Sequence, residues 1–303
     1  MPNTLARDLT MLLILAVMWS SSFTVIKVGA ELMPPVTFAM LRVGFGALVL
    51  YGWLKIRKLS LPTEPRLWWA FFLIGLFGNG LPFVMINWGE QKIASGLAAI
   101  IIATMPLAAL LLGRIFSDEV LNVRRIIGVS VGFAGVVTLI GPQELLHLGD
   151  DAIRQLAVAA AALCYAIAGI LVRKLPGAKP EEHGAGVLIA SSALLVPAAL
   201  LTEQPWALTY SAEALAAALY LGVFPTALAT ILLISVITSR GVTFLSLNNY
   251  LIPVLGVLWG FLFLDEPITR AVLVALVLIL LGIAIAGTGP TTRSALVAKK
   301  VDS

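Results

Sequence analysis

Asn79, Phe83 and Asn87 recur at i, i+4 and i+8 within a stretch otherwise rich in Leu, Ile, Phe and Gly, so a helix there carries two amides and a ring on one face. Amides in an apolar run are costly unless they meet a partner or line a wet cavity, which makes them candidate contacts for a small polar ligand. Gly78, Gly80 and Pro82 loosen the backbone between them, as a bent helix at a binding site requires. The same amides would equally serve to bond neighbouring helices. Later in the chain, Asn248-Asn249-Tyr250 precedes Pro253, and Phe224-Pro225-Thr226 is followed one turn on by Thr230. Pro225 and Pro253 each deprive a helical carbonyl of its usual donor, leaving an acceptor for an ammonium group. The two threonines could instead bond back to their own helix. Trp19 and Ser22 share one face of the first apolar run, with Trp19 near its middle, and Tyr165 holds the corresponding place in the second half of the chain. Both aromatics suit stacking or plain packing, and Met105, just before Pro106, offers a pliable wall. Arg42 is the one fixed charge well inside a run. It suits a bidentate carboxylate pair or a cation bonded to helix ends. We favour the second, a structural or gating role shared with Pro82, Pro106, Pro225 and Pro253.

What is missing narrows the chemistry. His147 and His183 fall in predicted loops, Cys164 is the single cysteine, and no Gly-rich phosphate motif is present. No intramembrane Ser-His pair, metal cluster or nucleotide site can be assembled from these, so we expect neither an enzyme nor a direct ATP-driven pump, with no cofactor and no metal. Glu31, Glu90, Asp118, Glu119, Glu203, Glu213, Asp265 and Glu266 all fall at the ends of runs or between them. A proton-coupled carrier normally holds a protonatable group inside the membrane, so the expectation is passage without obligatory proton coupling.

The elements that position these residues follow from composition. Of 303 residues, 60% are hydrophobic and 12% charged, and the mean hydropathy is +1.01, which excludes a water-soluble globule. Apolar runs separate at polar or Pro/Gly punctuation into spans near 9–29, 35–54, 67–88, 93–113, 126–141, 152–173, 186–202, 212–236, 242–264 and 270–287. Each is continuous rather than alternating, so the expectation is an all-α integral membrane protein of ten transmembrane helices, not a β-barrel. The net charge of +4 then belongs to topology rather than nucleic acid. Arg7, the loops holding Lys55 to Arg66, Arg114 to Arg125, Arg173 to Lys179 and Arg240, and the tail from Arg293 to Lys300 carry fifteen basic residues. The alternate loops carry three, Lys27, Lys92 and Arg270, so both termini are expected in the cytoplasm. Trp53, Trp68, Trp69, Trp88 and Trp206 fall near span boundaries and read as interfacial anchors.

Shifted by 147 residues, the chain aligns with itself at Pro106/Pro253, Gly113/Gly260, Phe116/Phe263, Asp118-Glu119/Asp265-Glu266 and Gly135/Gly282. Two five-helix repeats follow, residues 1–145 and 146–303. Five is odd, so the copies enter the membrane from opposite sides, the arrangement that alternating access uses. The paired acidic doublets are expected to cap the helices that follow them. Gly128-xxx-Gly132 and Gly256-xxx-Gly260 allow close helix contact, which packing within a monomer explains.

Trp19-Ser20-Ser21-Ser22-Phe23 running to Lys27, Pro35 to Arg42, and the Pro106 to Glu119 stretch with its copy from Pro253 to Glu266 resemble the EamA-type drug/metabolite transporter superfamily, over about residues 9–289. The usual Gly after the first Trp is Ser20 here, and the second copy has Tyr165 in the Trp position. The resemblance implies two inverted five-helix halves that export small metabolites across the bacterial inner membrane. Among its branches the chain is most similar to amino-acid exporters, including the aromatic amino-acid subgroup of the YddG type, which is also linked to viologen efflux. A cationic drug exporter or a channel-like pore remain the alternatives.

Overall fold

The computed structural model describes residues 2–116, 123–140, 150–175 and 180–287, and within them the chain is helical without a strand. In chain order the helices are α1 (Pro2–Leu32), α2 (Pro35–Ile56), α3 (Pro65–Gly75), α4 (Leu81–Glu90), α5 (Ser95–Ile102), α6 (Met105–Phe116) and α7 (Val123–Ile140). They continue as α8 (Asp150–Arg173), α9 (Pro180–Thr202), α10 (Ala212–Leu221), α11 (Ala229–Leu245), α12 (Asn248–Leu264) and α13 (Arg270–Gly287). A π-helical turn, Leu76–Gly80, joins α3 to α4, and a second, Gly222–Leu228, joins α10 to α11. Seven of the resulting stretches are long and apolar enough to cross a bilayer, and three shorter apolar helices accompany them. Leu48, Leu201, Phe261 and Phe263 stand exposed on their outer faces, where only a lipid solvent makes such surface favourable. The chain is a multi-pass membrane protein.

Local chemistry explains the boundaries. Pro35, Pro65 and Pro180 occupy first helical positions, where the missing N–H costs nothing. Pro180 is followed by Glu181 and Glu182 in the first turn, whose charge suits the helix N-terminus, so α9 begins six residues before the apolar run at 186. His183, expected in a loop, therefore lies within α9, its ring edge-on to Phe71 at 5.4 Å. Similarly α11 runs through to Leu245, so Arg240 is helical rather than in a loop. There it bonds Asp8 of α1 through Nε at 2.6 Å. The span expected at 93–113 divides at Ala103–Thr104, just ahead of Pro106, whose ring cannot donate to the preceding turn. The bend expected between Asn79 and Phe83 is a π-turn, which keeps the rod continuous while advancing its register by one residue.

Glycine brings backbones together where the fold is tightest. A Cβ on Gly282 of α13 would stand 2.6 Å from the Gly128 carbonyl of α7, and one on Gly128 would stand 2.7 Å from the Gly282 carbonyl. The small-residue stripe of α7 is thus spent on α13 within the chain. A Cβ on Gly222, first residue of the second π-turn, would come within 2.6 Å of the Arg42 carbonyl, so this turn lies directly against α2. The main core runs from Phe23 and Ile26 of α1 through Phe38 of α2 and Ile100 and Ile101 of α5 to Ile279 of α13.

Candidate functional site

Four elements meet where the second π-turn touches α1 and α2. The Trp19 indole Nε1 of α1 donates to the Pro225 carbonyl at 3.2 Å. The next residue, Thr226, accepts from Arg42 Nε of α2 at 3.1 Å. The Arg42 guanidinium in turn lies over the Phe83 ring of α4, 3.7 Å from its centroid, as a cation on an aromatic face. Arg42, Phe83 and Thr226 are buried. No carboxylate lies within ion-pair distance of Arg42 among the described residues. Tyr165 of α8 interacts electrostatically with Arg42 and packs against both neighbouring core clusters. The result is an aromatic-walled polar chain that holds an ion-unpaired guanidinium.

Other candidates are placed around this chain. Asn79 donates to Ser191 Oγ of α9 at 3.0 Å, and the wholly buried Asn87 donates to the Pro35 carbonyl at 3.0 Å. The shared face expected of Asn79, Phe83 and Asn87 is therefore divided between α9, Arg42 and the start of α2. Ser22 returns its hydroxyl to the Trp19 carbonyl at 2.5 Å, and Thr230 bonds to the Thr226 carbonyl at 2.7 Å, so both serve their own helix. The carbonyl of Pro225 is held by Trp19. Phe224 is 42% exposed and stacks on Tyr220 at 5.2 Å, at the edge rather than in the chain. Tyr250 packs against the main core, and Met105 is half-buried beside the α5–α6 break. Asn248, first residue of α12, is buried with neither amide atom bonded to a described residue. Pro82 follows the first π-turn, Pro106 the α5–α6 break, and Pro253 lies inside an unbroken α12.

Several contacts went unread in the sequence. Trp259 of α12 donates to Ser20 Oγ at 2.9 Å, and Ser21 Oγ pairs with the Tyr220 hydroxyl at 3.0 Å. Together with Trp19, these make the polar run of α1 a hub for α10, α12 and the second π-turn. The run of three serines was the available signal. Trp88, read as an interfacial anchor, lies beneath Arg154 at 4.2 Å, and its carbonyl accepts from the same guanidinium.

The acidic residues depart most from expectation. Glu203 sends its two oxygens to the Val36 and Thr37 amides, at 3.0 and 2.6 Å, at the start of α2. Glu266 does likewise to Ser95 and Gly96, at 2.6 and 3.0 Å, at the start of α5. Glu266 therefore caps a helix 170 residues earlier in the chain rather than the following one, because the α12–α13 link folds over α5. Asp118 and Glu119, its repeat partners, lie outside the described residues. Glu90 is the last residue of α4, as its position in the sequence suggests, yet it is wholly buried and neither carboxyl oxygen has a hydrogen-bond partner among the described residues. Glu90 thus lies at a helix end that is not wet.

A multi-pass helical bundle crossed by a polar chain suits a membrane transporter, and the family match gives that class. The EamA-like transporter family matches twice, over residues 8–141 and 153–288, and the chain belongs to that family. An uncharacterized transporter of Archaeoglobus fulgidus is 26% identical over 270 residues, covering 88% of this chain and 93% of its own length. The uncharacterized transporter YoaV of Bacillus subtilis is 24% identical over 88% of this chain and 91% of its own. The uncharacterized inner membrane transporter YedA of Escherichia coli is 33% identical over 41% of this chain and 40% of its own. A solved crystal structure with 22% identity superimposes with a TM-score of 0.67 over 92% of this chain and 97% of that one, and shares the fold.

Proposed function

We propose that this transporter exports amino acids, aromatic and other neutral ones, from the cytoplasm by alternating access. The observation that carries the reading is the buried chain Trp19–Pro225–Thr226–Arg42–Phe83, in which a guanidinium without an ion-pair partner stands among aromatic rings. With Nε held by Thr226, the terminal nitrogens of Arg42 would take a carboxylate in a fork. Trp19, Phe83 and Tyr165 would receive an apolar side chain, and the irregular carbonyls of the second π-turn would receive an ammonium group. A buried cation also disfavours a viologen-like ligand, which carries the same sign of charge.

The chain works, on this reading, as ten membrane crossings in two inverted halves, residues 1–145 and 146–303, in a bacterial inner membrane with both termini cytoplasmic. The double match to one family supports the halves, and the loop charges support the orientation. A monomer suffices, since the α7 glycines already pack on α13. The test is counterflow in proteoliposomes with a panel of labelled amino acids, repeated on Trp19→Ala and Asn79→Ala. The expectation is saturable counterflow with phenylalanine and other neutral amino acids, weakened by Trp19→Ala. Uptake without saturation or counterflow would make the protein a channel. Exchange of methyl viologen but of no amino acid would make it a drug exporter.

A further inference from the structure

One end of the bundle gathers more buried charge than the central chain does. There the α1–α2 turn, the end of α4, the start of α5 and the α12–α13 link come together. Lys27 of α1 bonds the Glu90 carbonyl at 2.8 Å and pairs with Glu31 at 3.0 Å. Gln91 donates to the Ala30 carbonyl at 3.2 Å and receives Arg154 of α8 at 3.0 Å. Into this assembly Glu90 places its carboxyl group, wholly buried and without a donor from the described residues on either oxygen. Its electrostatic neighbours are Glu266, Lys27 and Arg42. The other titratable or charged groups at this end and on the helices packed against α4 include Glu31 on α1, Asp151, Arg154 and Tyr165 on α8, and Lys92 in the α4–α5 turn, where Glu31, Asp151 and Lys92 are exposed. Lys27 is already engaged with Glu31 and a carbonyl, Arg42 with Thr226 and Phe83, and Arg154 with Trp88 and Gln91.

An ionised carboxylate taken from water needs hydrogen-bond donors or a close cation, and without them the neutral acid is the form a buried site accommodates. Glu266 makes that need sharper. Its carboxylate bridges the α12–α13 link to α5 through two backbone N–H groups, so it is a clamp between the two halves of the chain. A second negative charge on Glu90 would repel it. Resting on the transporter reading above, we infer that Glu90 is the proton-binding site of this carrier, and that its protonation allows the Glu266 clamp to close this end. By the loop charges this end faces away from the cytoplasm. With the clamp open, Glu90 meets external water and takes a proton from it onto one carboxyl oxygen. The loss of its charge lets Glu266 seat on Ser95 and Gly96. Opening on the cytoplasmic side then releases the proton inward, which ties export of substrate to proton entry.

Infrared difference spectroscopy on the purified full chain, titrated from acid to alkaline pH, reads the site without any substrate. A carbonyl band of a protonated carboxylic acid at neutral pH is expected, lost in Glu90→Gln and shifted in Glu90→Asp. Should Glu90→Gln fail to fold, the shift in Glu90→Asp decides the matter. No such band in the wild type, or a band that neither substitution changes, overturns the proposal. The transport arm uses labelled phenylalanine and vesicles with an acid interior, where molecules inserted inside out should accumulate it several-fold above the equal-pH level. In Glu90→Gln the ratio of the two conditions should fall to one. An unchanged ratio in the variant, or a wild-type ratio of one, overturns coupling at Glu90. If no amino acid exchanges under any condition, the substrate reading fails while the infrared result still decides the proton site.

Discussion

Arg42 and Trp19 meet at the second π-turn through bonds of different worth. The first is charged and buried, and hydrogen bonds to charged groups contribute about 1.5–3 kcal/mol, against about 0.6 kcal/mol for a typical bond between membrane helices. Arg42→Lys loses the Nε donor to Thr226 and the planar fork together, so its half-saturation for an amino acid in counterflow should rise about tenfold or more, corresponding to ~1.5–3 kcal/mol. A value within twofold of the wild type would mean that Arg42 does not face substrate. Ser20→Ala removes the acceptor of the Trp259 indole with almost no change in volume, so thermal unfolding in detergent should register a loss of about 0.6 kcal/mol. A collapse of the fold in that variant would show that the α1 hub carries far more. Phe83, Asn79 and Asn87 were legible as polar or aromatic anomalies in an apolar run. Which of them would meet Arg42, Ser191 or Pro35 was not, because those partners lie in other helices and spacing along one helix ranks no neighbour above another.

At the scale of elements, two devices set the geometry. The π-turns at Leu76–Gly80 and Gly222–Leu228 shift the register of their rods without breaking them, and the second lays its backbone against α2. Glycine contacts then fix how closely rods approach. Gly282→Ala drives a methyl into the Gly128 carbonyl, where overpacking costs about 1–3 kcal/mol. Gly44→Ala on α2 meets nothing within 4 Å and serves as the matched control. Thermal unfolding should therefore fall clearly for the first and remain level or rise for the second. Equal behaviour would mean that α7 and α13 separate at little cost. Glu266→Gln retains the shape of the clamp but leaves only one acceptor oxygen and no charge for the two N–H groups of α5. It should favour the state open at that end, seen as faster labelling of a cysteine placed at Ser95. Unchanged labelling would remove Glu266 from the gate. The Pro106 break and the irregular turn near Asn79 were readable from Pro and Gly alone, since those residues alter the backbone locally. The reach of Glu266 to α5 was not, because the capping rule ties an acid to its own helix whenever no tertiary contact is known.

For the whole molecule, loop charge supplies the expected orientation, on physical grounds. Basic residues cross the bilayer poorly, and fifteen against three is a strong bias. In a Cys164→Ser background, a membrane-impermeant maleimide added to intact cells should label Gln204→Cys and spare Glu64→Cys, both of which are exposed positions. The reverse pattern would invert the topology and place the Glu90 and Glu266 end in the cytoplasm. Either result bears on which way proton entry and substrate exit would run.

Hydropathy, loop charge, Pro and Gly positions and the 147-residue repeat are properties of the chain read locally or against itself. They determined the lipid solvent, the helical rods, their breaks and the likeness of the two halves, because a segment's transfer into a bilayer is close to a sum over its own residues. Tertiary structure decided the rest. Glu90 is buried at the end of an α4 that packs against α1, α2, α5 and α8, no carboxylate of the described residues comes within ion-pair distance of Arg42, and Glu266 clamps α5 because the α12–α13 link lies over it. Burial and pairing are sums over neighbours in space, and those neighbours come from segments up to 239 residues away.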